Sequence, residues 1–182
     1  MLKYLHFSLF LICFLSFSQN KTSILTPFEK GNGNQSTTYE ECISFYKNLA
    51  TNYSTIQILE KGKTDSAKSL HIVVFSENNN FDFDQDKAIV LVNNGIHPGE
   101  PDGIDASMML LRDLATSKIK VPKNTLVVVI PVYNIDGMLN RNSSSRANQN
   151  GPEAYGFRGN GRNYDLNRDF IKSDTKNSRS FQ

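Results

Sequence analysis

Residues 88–100 read Ala88-Ile89-Val90-Leu91-Val92-Asn93-Asn94-Gly95-Ile96-His97-Pro98-Gly99-Glu100. The opening run is short, apolar and rich in β-branched residues, which predicts a buried strand. Asn94-Gly95 breaks it. Pro101 suits the first turn of a helix, and Ile104, Ala106, Met108, Met109, Leu111 and Leu114 carry an apolar helical pattern to about Thr116. His97 and Glu100 therefore fall at the C-terminal end of a strand, where open α/β sheets place their ligands. An imidazole and a carboxylate three residues apart suit two zinc ligands on one turn. With 18 acids among 182 residues, such a pair arises by chance about one time in ten. Its weight comes from its setting.

Working outward, Thr125–Ile130 is apolar throughout and is expected to be buried on both faces. Strand, helix and strand at this spacing predict a right-handed parallel crossover. Upstream, Thr37 or Thr38 followed three residues on by Glu40 or Glu41 makes a capping-box signature. Tyr39, Cys42, Ile43, Tyr46, Leu49, Ala50 and Tyr53 then keep helical spacing, so a helix is expected from Thr38 to Asn52. Ser54–Glu60 and Ser69–Ser76 read as strands, and the turn-forming residues 61–66 join them as a hairpin. His71 lies mid-strand and reads as a packed or sheet-surface residue. The acidic stretch 77–84 reads as a loop without the glycine and final glutamate of a calcium loop.

Composition bounds the function. Hydrophobic content of 38% and charged content of 21% fit a globular chain. A net charge of +2 speaks against a nucleic-acid-coating protein or a strongly anionic-membrane binder. The start, with Lys3 before Phe7–Leu15 and small Ser16 and Ser18, predicts a signal peptide over 1–18 and a secreted or periplasmic protein with no stable membrane insertion after cleavage. Residues 19–36, rich in polar residues and glycine, read as a flexible leader. Cys42 is then the only cysteine left, and it reads as a buried small hydrophobe.

Beyond Pro131 apolar periodicity fades, and loops this long are usually functional or disordered. From Met138 to Gln182 eight basic residues face four acids, with Tyr155, Phe157, Tyr164 and Phe170 interleaved. Single-stranded nucleic acid is one reading of that mixture, and the near-neutral whole argues against it. The planar fork of arginine also suits a carboxylate or phosphate, or an oxyanion developing beside zinc. Zinc ligands plus an arginine cluster point to metal-assisted hydrolysis of an anionic substrate.

Three ordered motifs sharpen this: His97-Pro98-Gly99-Glu100, Tyr133-Asn134-Ile135-Asp136-Gly137 and Asp165-Leu166-Asn167-Arg168-Asp169-Phe170. From about Thr38 onward the chain resembles the zinc carboxypeptidases of the carboxypeptidase A type. Ile135 stands where that family usually has proline, and Asp169 where it has asparagine. The resemblance implies an α/β fold, with a mixed, largely parallel central sheet flanked by helices. It implies one zinc ion held by His97 and Glu100, with Asn167 and Arg168 binding the C-terminal carboxylate of a peptide substrate. Arg158 matches the arginine that polarises the scissile carbonyl, and Arg146, also a candidate substrate-binding residue, competes for that assignment. In the implied mechanism zinc lowers the pKa of a bound water, a glutamate takes its proton and Arg158 stabilises the oxyanion.

The family's third zinc ligand and catalytic glutamate lie downstream of these motifs. The only histidines here are His6, His71 and His97. Residues 37–182 are accordingly expected to be the N-terminal portion of a longer, truncated carboxypeptidase domain, poorly soluble and inactive alone. Two other readings share the same residues. One is a zinc hydrolase of N-acyl amino acids or cell-wall peptides; the other is a non-catalytic module that binds C-terminal carboxylates.

Overall fold

The apolar runs and the two long amphipathic patterns assemble into a four-stranded sheet with helices against it. The computed structural model describes residues 24–83 and 86–182, so the expected signal peptide lies outside the described residues. The order is α1 (Pro27–Lys30), α2 (Tyr39–Asn52), β1 (Ile56–Lys63), β2 (Ser69–Ser76), β3 (Ala88–Asn93), α3 (Asp102–Ala115), β4 (Thr125–Ile130), α4 (Ile135–Leu139), a 3-10 turn (Leu166–Arg168) and α5 (Lys176–Phe181). Among the described residues no helix is long and apolar enough to cross a membrane.

The strands lie in the order β1-β2-β4-β3. β1 and β2 form the expected antiparallel hairpin, with an irregularity between Glu60 and Gly62. β2 pairs antiparallel with β4, and β3 pairs parallel with β4. The expectation of a largely parallel sheet is corrected: only the β3–α3–β4 unit contributes a parallel pair. The second strand of the hairpin docks on β4 in the opposite sense, a long-range choice that no local pattern encodes.

β4 supplies the core of the sheet and is buried along its length. Its side chains alternate between faces as the pleat requires. Val127 and Val129, with Val73 and Phe75 of β2, pack under α2 and α3, where Cys42, Tyr46, Leu49, Ile104, Met108 and Leu111 close the main core. Leu126 and Val128 face the other way with Val74 and Ile72. α2 begins at a full capping box, with Thr38 and Glu41 exchanging hydrogen bonds.

β3 corrects a second expectation. It is the sheet's edge, and Ile89, Val90 and Leu91 are 48%, 49% and 51% exposed. An apolar run identifies a strand that could be covered on both faces; it does not supply the cover. Part of the expected leader, residues 24–36, lies within the described residues. Thr26 and Glu29 form their own capping box around α1. Glu29 also pairs with Arg112 of α3 at 2.6 Å, and Arg112 donates to the Ile24 carbonyl at 3.1 Å. Residues 24–36 are thus built onto the domain, tied by contacts that polar composition conceals.

Candidate functional site

The parallel pair β3 and β4 sends two loops out side by side. Asn94 N donates to Ile130 O, Tyr133 N to Asn94 O at 2.8 Å and Asn134 N to Gly95 O at 3.0 Å. Gly95 sits at φ +64°, with Ile104 and Val132 close to where a Cβ would stand, so the turn off β3 favours glycine on two counts. The fully buried Asn134 then ties three segments together. Its Oδ1 accepts from Gly137 N at 2.9 Å, and its Nδ2 donates to Arg158 O at 2.9 Å and to Ile96 O at 3.4 Å. The stretch carrying His97 and the stretch carrying Arg158 are therefore held against one helix start.

His97 is buried and Glu100 is exposed. One ring nitrogen, Nε2, lies 2.8 Å from Asp165 Oδ1, while Nδ1 faces Glu100 Oε1 at 3.8 Å. Burial pushes the Asp165 carboxyl up, but hydrogen bonds from His97, Arg158 and the Asn167 backbone outweigh it and bring it down to about 2. A carboxylate so fully ionised only accepts, so Nε2 carries a proton and donates to Asp165, which leaves Nδ1 as the ring nitrogen turned towards Glu100. This is the arrangement by which outer carboxylates fix metal-binding histidines. Two ligands of one tetrahedral zinc stand about 3.4 Å apart at ordinary bond lengths, so the pair has the donor chemistry and nearly the spacing. Among the described residues no group of three His, Cys, Asp or Glu side chains is placed to hold a metal. The residues present fit half of a zinc site.

The arginines divide by what they touch. Arg158 grips Asp165 Oδ2 through Nε at 3.1 Å and Nη2 at 2.9 Å. Arg146 reaches Glu100 Oε1 through Nη1 at 2.7 Å. Arg168 and Asn167 are exposed, and Arg168 Nη1 bonds to Asn167 O at 3.1 Å. Arg141 is structural: it donates to the carbonyls of Thr37, Ser36 and Ala154. Arg162 lies over the Tyr164 ring at 4.5 Å. The structure thus gathers His97, Glu100, Arg146 and Arg158 at one place, with Asn167 and Arg168 just beyond Asp165.

Sequence reasoning missed Asp165 and Asn134 as site-building residues. Both lie inside the quoted motifs, Asp165 two residues before Asn167 and Asn134 three before Gly137. The two replaced motif positions turn structural. Ile135 is fully buried in the main core. Asp169 is buried and accepts from Thr175 and Asp174 backbone nitrogens; these bonds and the Thr175 and Ser178 hydroxyls outweigh burial and hold its carboxyl well below the usual range.

The sequence model of the family described as Zinc carboxypeptidase matches residues 42–182. Curated proteins offer no match. Among solved structures, a metallo-carboxypeptidase from Burkholderia cenocepacia is similar, with 15% identity and a TM-score of 0.60, over 80% of this chain and 37% of that one. A metallo-carboxypeptidase from Pseudomonas aeruginosa shares 14% identity with a TM-score of 0.53, over 80% of this chain and 35% of its own. The carboxypeptidase A from Helicoverpa armigera shares 22% identity with a TM-score of 0.52, over 59% of this chain and 26% of that one. These likenesses speak to the fold. The chain spans between about a quarter and just over a third of the length of those relatives.

Proposed function

The chain belongs to the zinc carboxypeptidase family, and from that premise we propose that it carries part of the active site of an exported, zinc-dependent carboxypeptidase acting on peptides with a free C-terminal carboxylate. The observation that carries this reading is His97 itself. It is pinned by Asp165 through Nε2 and turned so that Nδ1 faces Glu100. His97 and Glu100 would hold the zinc ion, which when bound supplies Lewis acidity and an activated water. A third ligand would have to come from outside the described residues.

In this reading Arg158 has its Nη1 to offer a developing oxyanion, because Nε and Nη2 are held by Asp165. Asp165 thereby orients the histidine and the arginine with one carboxylate. Asn167 and Arg168 are the proposed clamp for the terminal carboxylate. Their exposure and the largely open guanidinium of Arg168 support that role.

A second reading is favoured by the same clamp and the two-ligand metal pair: the 182-residue chain binds C-terminal carboxylates without cleaving the peptide. The test is a titration of the chain with an N-acylated dipeptide and with its C-terminal amide. Binding of the free acid that is lost on amidation and in Arg168→Ala supports the clamp. Equal binding of acid and amide contradicts it. Cleavage of the free acid by this chain alone would contradict the view that a further ligand is needed.

A further inference from the structure

The Glu100 oxygen that faces His97 is the one that Arg146 holds. His97 Nδ1 stands 3.8 Å from Glu100 Oε1, and Arg146 Nη1 donates to that same Oε1 at 2.7 Å. A divalent ion shared by Nδ1 and Oε1 and a guanidinium on Oε1 are two cations competing for one oxygen. Building on the zinc-site reading above, we infer that Arg146 is a tethered competitor for the metal-facing oxygen of Glu100, displaced when a divalent ion binds, and so sets the affinity of the site.

The loop around Arg146 is built to deliver it there. Arg146 N is anchored on the Tyr155 hydroxyl at 3.2 Å, and Tyr155 bridges to Asn142 through both backbone groups. Gln149 Nε2 donates to Gly99 O at 3.0 Å, and Gly156 N to Pro98 O at 3.1 Å, so the loop grips the backbone of the ligand turn independently of the guanidinium. The guanidinium passes over Gly99, where a Cβ would stand 2.7 Å from Nε. A Cβ there would also stand 2.9 Å from the Gly156 carbonyl oxygen, and that backbone contact is what favours glycine.

The contact is also built to release. Arg146 makes one side-chain hydrogen bond, to Glu100, while its buried Nη2 has no partner among the described residues. Glu100 is 55% exposed, so water screens the pair and takes over the carboxylate when the arginine leaves. Anchoring sits on the backbone and charge on one swinging group, so the side chain can leave while the loop stays.

The test is zinc binding by the 182-residue chain, read by competition with a chromophoric zinc indicator, for the parent, Arg146→Gln, Arg146→Lys and His97→Ala. The competitor role predicts that R146Q binds zinc roughly 1.5-fold to fivefold more tightly than the parent, the fold-change expected for losing an exposed ion pair. R146K, which keeps the charge, returns towards the parent value. Equal or weaker binding by R146Q, with H97A abolishing binding, overturns the competitor role and leaves the metal pair standing. Zinc binding that survives H97A overturns the metal pair and the inference with it. In the parent chain itself, the Arg146 Nε–Hε NMR resonance should move on zinc addition. An unmoved resonance at zinc saturation overturns the inference even if R146Q fails to fold.

Discussion

Replacing Asn134 by alanine should unlatch the two halves of the site while leaving the secondary structure in place. The substitution removes an acceptor from Gly137 N at 2.9 Å and donors to Arg158 O at 2.9 Å and Ile96 O at 3.4 Å. Gly137 is buried, so its N–H is left without a partner, which costs about 1–3 kcal/mol. Arg158 is exposed and water can reach its carbonyl; the long bond to Ile96 contributes little. We therefore expect a loss of about 2–4 kcal/mol, in line with breaking a buried hydrogen-bond network. For a chain of this size that lowers the melting midpoint by roughly 5–15 °C. Urea unfolding followed by far-ultraviolet circular dichroism, with parent and variant at equal and low concentration, measures it. Asn134→Asp separates the two roles, because it keeps the acceptor for Gly137 and turns a carboxylate oxygen towards both carbonyls. N134D should lose at least as much at pH 7 as N134A. A loss under about 0.5 kcal/mol in N134A, the range of an ordinary surface change, or parent-like stability in N134D, would refute the latch.

Other expectations follow from buried charge and from the sheet edge. Asp105 is 5% exposed with Oδ1 unpartnered, and burial, helped by Asp102 and Glu41 against the Thr37 backbone and Arg141, raises its carboxyl to about 6. The folded state therefore holds this proton more tightly than the unfolded chain, so stability falls as pH rises from about 4 to about 6 and stays lower above. Asp105→Asn should gain on the order of 2 kcal/mol at pH 8 and nothing at pH 3.5; an equal gain at both values contradicts the assignment. Leu91→Lys on the β3 edge should leave stability within about 0.5 kcal/mol and raise the concentration at which the chain stays monomeric. A loss above about 2 kcal/mol would mean that β3 is not exposed.

The elements that were legible in the sequence are those with a local cause. The Thr38–Glu41 capping box and helical spacing mark α2; the uninterrupted run 125–130 marks β4; and Asn94-Gly95 after an apolar strand marks the turn that carries His97 and Glu100. What stayed hidden depends on partners distant in the chain. β4 pairs with a hairpin strand some fifty residues upstream in sequence, which decides that the sheet is mostly antiparallel. β3 lies at an edge, so its apolar run is exposed, although the same run would suit a central strand. The site divides the same way. Spacing picked out His97 and Glu100, and the resemblance picked out Arg158, Asn167 and Arg168. That Asp165 grips both His97 and Arg158, and that Arg146 lies on Glu100, are contacts across 68, 7 and 46 residues that only the folded chain brings together.

The central claim is that His97 is held by Asp165 through Nε2 and offers Nδ1 to a metal shared with Glu100. Two-dimensional 15N–1H correlation of the histidine rings tests it directly, with His97 assigned by comparison with His97→Ala. The account predicts a proton on His97 Nε2, held by Asp165, and a shift of the His97 Nδ1 resonance when zinc is added. An unprotonated Nε2, or zinc-induced changes that leave the His97 ring resonances unmoved, would contradict it.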